Sequence, residues 1–352
     1  MSVVIITGSS GLVGSESVNF FCNKGFDVIG LDNNLREFFF GKDGSTKLVK
    51  KSLVKKNKNF RTFNTDIRNY NSLEKIFKKY KKNISLIIHC AAQPSHDYGK
   101  NFPIIDFDVN AKGTLNLLEL TKIYCSDAKF IFMSTNKVYG DNPNHLKMIE
   151  TKKRWELKKS HPCYNGINEK FSIDNCTHSF FGVSKSYADL IVQEYGKNIG
   201  LNTVSFRGGC ITGPNHMGAK LHGFLSYLVK ITLKKRFYTI IGYKGKQVRD
   251  NIHSSDLVNC FWEYYKKPRK GEVYNIGGGR FSNCSILEAI ELIEKLTNIK
   301  IKKNILKKPR VGDHVWYISN LKKFKIHYPN WKQKYNTKKI IEELIENNQI
   351  IS

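Results

Sequence analysis

Val3-Val4-Ile5-Ile6-Thr7-Gly8-Ser9-Ser10-Gly11-Leu12-Val13-Gly14 opens the chain, and its reading decides the fold. Val3 to Ile6 is a short β-branched run of the kind that makes a buried parallel strand. Leu12, Val13, Val18, Phe20 and Phe21 then suit an amphipathic helix. Between the two, Gly8 permits a tight turn, Gly11 lets a diphosphate approach the backbone, and Gly14 lets helix close on strand. A helix starting there offers free N–H groups and the positive end of its dipole to an anion. The next apolar run, Val28-Ile29-Gly30-Leu31, ends in Asp32. A carboxylate at that point accepts hydrogen bonds from both ribose hydroxyls and repels a 2′-phosphate. Strand, glycine turn, helix and acid, in that order, favour NAD over NADP.

The 352 residues suffice for a large core, in one large domain or two intimate ones. No apolar stretch nears the roughly 18 residues of a membrane span. Met1 leads straight into a strand without a basic leader, so the expectation is a cytoplasmic protein with no membrane partner. Eight cysteines (Cys22, Cys90, Cys125, Cys163, Cys176, Cys210, Cys260, Cys284) are scattered without a CxxC pair. That spacing argues for reduced thiols and against a disulfide framework or a zinc site, so no metal is expected. The net charge of +28 raises nucleic-acid binding as a function. The basic residues are spread over many segments, such as Lys50-Lys51, Lys78-Lys79 and Lys302-Lys303, and no arm or recognition helix collects them. A lysine-rich surface explains them, and its field still attracts doubly charged nucleotide substrates.

Downstream, strand and helix patterns alternate. A polar, basic excursion over residues 33–59 reads as a long loop or short helices. Phe60 to Phe63 is a strand, and Leu73, Ile76, Phe77 and Tyr80 mark a helix. Leu86 to His89 is a strand ending in Cys90-Ala91-Ala92, and residues 110–124 have helical spacing. Phe130 to Met133 is a strand ending at Ser134-Thr135; a helix over 181–195 and a strand over 203–206 follow. Such alternation implies an α/β, Rossmann-type doubly wound parallel sheet. From Arg207 onward the rhythm breaks into Gly-, Pro- and His-bearing loops, which reads as a smaller, mixed C-terminal substrate-binding domain. The expected division is a dinucleotide-binding domain over 1–206, joined by 247–280, with 207–246 and 281–352 holding the substrate.

Further strings carry a resemblance. They are Ser134-Thr135-Asn136-Lys137-Val138-Tyr139-Gly140 after a strand, Phe181-Gly182-Val183-Ser184-Lys185 opening a helix, and Gly245-Lys246-Gln247-Val248-Arg249-Asp250 with Asp256 downstream. Ala91-Ala92-Gln93-Pro94-Ser95-His96-Asp97, Arg280-Phe281-Ser282-Asn283-Cys284-Ser285, Arg310-Val311-Gly312-Asp313-His314 and Tyr328-Pro329-Asn330-Trp331-Lys332 add to them. With the glycine turn, these make nearly the whole chain resemble the extended short-chain dehydrogenase/reductase family, the group acting on nucleotide sugars. Within it, the chain looks most like the branch that epimerises CDP-linked sugars at C2.

The resemblance implies tightly held NAD, transient oxidation of a sugar carbon, a nucleotide-diphosphate sugar as partner with CDP favoured, and a homodimer or homotetramer. It places Gly8, Ser10, Gly11, Leu12, Gly14, Asp32, Asn33, Asp66, Ile67, Ala91, Ala92, Gln93, Asn110 and Lys185 around the cofactor. It places Ser95, His96, Asn136, Cys210, Asn215, Arg249 and Arg310 around the substrate; His216 and His222 share the Asn215 loop. Arg249 and Arg310 suit a diphosphate because guanidinium forks match phosphate oxygens. The proton of the oxidised hydroxyl goes, in this family, to a tyrosine activated by a lysine four residues later, with a Ser or Thr completing the set. Thr135 and Lys185 fit. The tyrosine position holds Phe181, which transfers no proton. Two readings stay open: another base (Lys185, a water on Thr135, Cys210, His96 or Tyr164), or a non-catalytic binder of NAD and nucleotide sugar; Tyr187 is set aside because it lies after the lysine and about half a helical turn from it. Asn136 and Lys137 stand where the family's sugar dehydratases carry an Asp-Glu pair, which argues against dehydration.

Overall fold

The computed structural model describes residues 2–215, 223–309 and 312–351. The first half runs β1 (Val3–Thr7), α1 (Leu12–Asn23), β2 (Asp27–Leu31), α2 (Leu35–Phe40), α3 (Lys47–Lys56), β3 (Phe60–Phe63), α4 (Tyr70–Tyr80), β4 (Ile84–His89), α5 (His96–Asn101), α6 (Pro103–Phe107), α7 (Gly113–Tyr124) and β5 (Lys129–Thr135). A small antiparallel pair, β6 (Met148–Glu150) and β7 (Trp155–Leu157), precedes α8 (Phe180–Lys197) and β8 (Asn202–Gly208). Then come β9 (Cys210–Thr212), α9 (Phe224–Leu233), β10 (Tyr238–Ile241), β11 (Val248–His253), α10 (Ser254–Lys266) and β12 (Glu272–Ile276). The chain finishes with β13 (Asn283–Ser285), α11 (Ile286–Thr297), β14 (Lys303–Leu306), β15 (Trp316–Tyr317), α12 (Lys322–His327) and α13 (Thr337–Ile351).

The apolar runs form a seven-stranded sheet of order β12-β8-β5-β4-β1-β2-β3. β1 is buried along its whole length and pairs in parallel on both sides, with Ile5 opposite Ile29 on β2 and Ile87 on β4. Strands buried on both faces explain why these runs do not alternate with polar residues. The order reverses between β1 and β4, where a doubly wound sheet opens a crevice at the carboxyl ends of its strands. The excursion over 33–59 resolves into α2, a short 3-10 turn and α3. The helix expected from residue 110 begins at Gly113, because residues 108–112 form a π-turn. Such turns recur at functional sites, and this one carries Asn110.

Contacts divide the chain into two compact units: residues 1–138, 180–207 and 258–274, and residues 139–179, 208–257 and 275–352. Residues 139–179, 247–257 and 275–280 thus cluster with the second unit, whereas the reading of the sequence groups them with the first. In the first unit, Ile5, Ile29, Ile87, Phe130, Leu118 and Val192 belong to one core joining sheet to helices. In the second, Leu228, Ile290, Ile293, Ile340 and Leu344 knit α9, α11 and α13 together. Its sheet is mixed: β11 pairs antiparallel with β13 and parallel with β15 and β9.

Candidate active site

Two arrangements in the first unit place the predicted residues: the glycine turn after β1, and a buried polar frame around the first turns of α8.

Gly8 has a left-handed φ of +64°, and a Cβ there would stand 2.8 Å from the Ala91 backbone nitrogen. Gly14 is tighter, since a Cβ would lie 2.1 Å from the Gly8 carbonyl oxygen. Gly11 differs: its Cβ would meet only Gly8 O, at 3.3 Å, so the space in front of it is open. Gly11 is also the N-cap of α1, with no side chain covering the first N–H groups. The Ser9 and Ser10 hydroxyls are buried with no protein partner. An open cradle, uncapped N–H groups and spare hydroxyl donors fit a dinucleotide diphosphate.

The Asp32 carboxylate is oriented by the backbone, accepting from Ser10 N and Asn34 N at 2.8 Å each. It borders a cavity of about 540 Å³ whose lining includes Asn33, Asn34, Phe38, Thr46 and Lys50. Asn33 donates to Asp66 at 3.0 Å, and Arg68 forks onto the same carboxylate at 2.7 Å. Burial works against the Asp66 charge, but the Arg68 and Asn33 hydrogen bonds outweigh it and hold the carboxyl below its usual pKa. The Ile67 side chain packs under Gly113, where a Cβ would come within 2.6 Å of it. Ala91 donates its N–H to Thr7 Oγ1 at 3.1 Å, and Ala92 follows it in the connection from β4 to α5.

At the second arrangement, α8 turns Phe181, Ser184, Lys185, Ala188, Asp189 and Val192 inward. This is helical spacing, yet three of the six are polar. Lys185 donates from Nζ to the Met133 carbonyl at 2.8 Å and lies 4.0 Å from the Phe132 ring centroid. Burial pushes its pKa down to about 7, against the opposing pull of Cys90, Asp189 and Asp106. Burial likewise raises the Cys90 thiol to about 12 and holds His89 neutral, between Thr7 and Thr114. Thr135, two residues past Met133, accepts from Lys137 N at 3.2 Å; Asn136 beside it is buried.

Gln93 donates to Asp106, and Asn110 donates to the Gln93 carbonyl and to Ser184. Ser184 donates to the other Asp106 oxygen at 2.5 Å. Ser95 donates its N–H to Gln93 Oε1 and caps α5 through Oγ. His96, first residue of α5, meets the Phe181 ring edge to face with centroids 5.2 Å apart. Under Lys185, a buried ion pair joins Asp189 to Arg207 at 2.7 Å, and Ser134 donates to the same carboxylate. Reasoning from the sequence passed over Asp106, Ser184, Asp189 and Arg207. Asp106 stands four residues before Asn110, a helical neighbour; nothing in the sequence alone pairs Asp189 with Arg207.

In the second unit Arg249 is buried and bonded to Asp313, and Cys210 opens β9 opposite Asn251. The Tyr164 ring lies beneath the Arg280 guanidinium at 3.9 Å. Asn215 ends a described stretch; His216, His222 and Arg310 lie outside the described residues. Among the described residues no group of three His, Cys, Asp or Glu side chains is placed to hold a metal, and no helix is long and apolar enough to cross a membrane.

The profile of the NAD dependent epimerase/dehydratase family matches residues 4–277. The chain is 31% identical to the CDP-paratose 2-epimerase of Salmonella typhi, over 97% of this chain and 98% of that protein. It is 28% identical to the UDP-glucuronate 4-epimerase of Thermodesulfobacterium geofontis, over 87% and 84% of the two. Among solved structures, dTDP-glucose 4,6-dehydratase of Bacillus anthracis, in complex with NAD, superposes with a TM-score of 0.78 at 23% identity, over 99% of this chain and 97% of that one.

Proposed function

The chain belongs to the NAD dependent epimerase/dehydratase family, and from that premise we propose that it epimerises a nucleotide-linked hexose, CDP-linked, at C2. The observation that carries this reading is the similarity to a CDP-paratose 2-epimerase over 97% of this chain and 98% of that protein. Asn136 and Lys137 favour epimerisation over dehydration, since an amide and an ammonium do not do the work of two carboxyl groups.

NAD, when bound, would supply the hydride acceptor and donor for the sugar carbon. The protein's part is to hold and orient. The turn through Gly8, Ser10, Gly11, Leu12 and Gly14 cradles the diphosphate. Asp32 and Asn33 take the adenosine ribose, and Asp66 with the Ile67 backbone takes the adenine. Ala91, Ala92, Gln93, Asn110 and Lys185 flank the nicotinamide half. Ser95, His96, Asn136, Cys210, Asn215, Arg249 and Arg310 hold the substrate, with the two arginines on its diphosphate. Thr135 and Lys185 organise the hydroxyl whose proton must leave. We assign the dinucleotide to the 1–206 part with 247–280 and the nucleotide sugar to 207–246 and 281–352. The exposed apolar side chains of α6 to α8, among them Ile104 (77% exposed), Val183 (56%) and Leu190 (46%), support association of two or four copies; the compartment we propose is the cytoplasm.

The test is a panel of CDP-, UDP- and GDP-sugars turned over in D₂O. Returned hydride leaves no deuterium at the inverted carbon. Deuterium there means deprotonation beside a carbonyl and sinks the mechanism. Inversion at C4 replaces the proposed carbon, and binding without product moves the protein to the non-catalytic class that Phe181 suggests.

A further inference from the structure

Phe181 removes the phenol, yet an imidazole stands against the ring that should bear it. The His96 and Phe181 rings meet edge to face with centroids 5.2 Å apart, so the imidazole packs directly on the ring that lacks the hydroxyl. This contact is braced. Ser95, immediately before His96, caps α5 and is tied to Gln93; Gln93 is tied to Asp106, and Asp106 to Ser184 on α8. Gly99 brings α5 so close to α8 that a Cβ there would lie 3.2 Å from Phe181 N. The helix carrying His96 is thus fixed to the turn carrying Phe181 by buried hydrogen bonds, the kind of support that holds a reacting group to its geometry.

The other groups nearby serve less well. Lys185 Nζ is committed to the Met133 carbonyl and the Phe132 ring. The Cys90 thiol is held protonated by burial. The Thr135 hydroxyl is no base at neutral pH. Imidazole is the side chain that both takes and returns a proton there.

Resting on the epimerase reading above, we infer that His96 is the catalytic residue that takes the sugar hydroxyl proton and gives it back. In the forward half the O–H bond breaks and its proton joins the ring nitrogen. The C–H pair would leave as hydride to the acceptor that bound NAD supplies, as the C–O bond becomes C=O. In the return half the hydride re-enters from the other face and the imidazolium restores the proton to the oxygen. No external oxidant is consumed.

The experiment uses the full chain with bound NAD and the sugar panel. His96→Gly should lose about 10²–10⁴-fold in kcat, keep its NAD content, and recover in part with added free imidazole. Phe181→Tyr placed in the His96→Gly background should restore turnover by returning the phenol. His96→Gln, which keeps bulk and a polar end, should be as slow as His96→Gly while still binding nucleotide sugar. Independently, the ¹⁵N ring signals of His96 should move on adding nucleotide sugar and stay in place with nucleoside diphosphate alone. Turnover by His96→Gly or His96→Gln within about threefold of wild type overturns the inference alone. So does lost turnover that neither imidazole nor the phenol restores, or an unmoved ring signal. Wild-type protein that converts no nucleotide sugar overturns the epimerase reading and this inference with it.

Discussion

The glycine turn after β1 and the polar frame around α8 are both parts of the candidate site, yet they are built from opposite materials. The turn is backbone: a left-handed Gly8, a Gly14 with no room for a Cβ, and N–H groups left uncapped at Gly11. All of it lies within seven residues of sequence, Gly8 to Gly14. The frame is side chain: Gln93, Asp106, Asn110, Ser184, Lys185, Asp189 and Arg207 come from five separate elements and connections, bonded to one another and to Ser95, Ser134 and the Met133 carbonyl. Backbone anion sites tolerate neighbouring changes as long as the turn forms. A buried polar network fails as a unit when one member goes.

That contrast can be broken most sharply at Asp189. Asp189→Ala removes the buried carboxylate that pairs with Arg207 and should cost about 3–5 kcal/mol of folding stability, read from the midpoint of chemical denaturation. A loss under about 1 kcal/mol in the same titration would mean that the frame does not act as one unit. Lys185→Met should come next, with kcat down about 10²-fold and NAD content retained. The same variant tests the lysine's protonation. The unfolded chain keeps this proton up to the ordinary lysine value of 10.5, whereas the folded chain releases it near 7. Between those values the unfolded state binds more protons, so wild-type stability relative to Lys185→Met should rise with pH over that window. A flat difference would show that Lys185 stays charged in the fold.

Asp32→Ala tests the other side of the comparison. Losing charged acceptors for the ribose should weaken NAD by about 10-fold or somewhat more, and NADP less, as measured by calorimetry with each cofactor. Equal losses for both would detach Asp32 from cofactor choice. The smallest effect belongs to Ser95→Ala. Removing the cap of α5 should lower stability by about 1 kcal/mol, and kcat should fall beyond what that loss explains if His96 must be held against Phe181. A variant with normal kcat and lowered stability would leave Ser95 as a cap alone.

Several features were legible in the sequence because local chemistry imposes them. The β-branched run, the glycines at positions 8, 11 and 14, and the acid closing β2 have few other uses in that order, and the structure puts each where the spacing implies. Helix α8 and the strands around it follow from periodicity in the same way. The family follows from strings that local chemistry keeps contiguous. What sequence order did not decide is which polar residues share one buried frame. Asp106 and Ser184 are 78 residues apart, and Thr7 meets His89 across 82. Hydrogen bonding is short-ranged, so partners are chosen by which helix the sheet brings alongside. The Phe181 substitution was visible as an absence in the sequence. Only the packing of α5 on α8 put an imidazole beside it, because that contact needs a glycine at 99 and a capped turn at Ser95 to close.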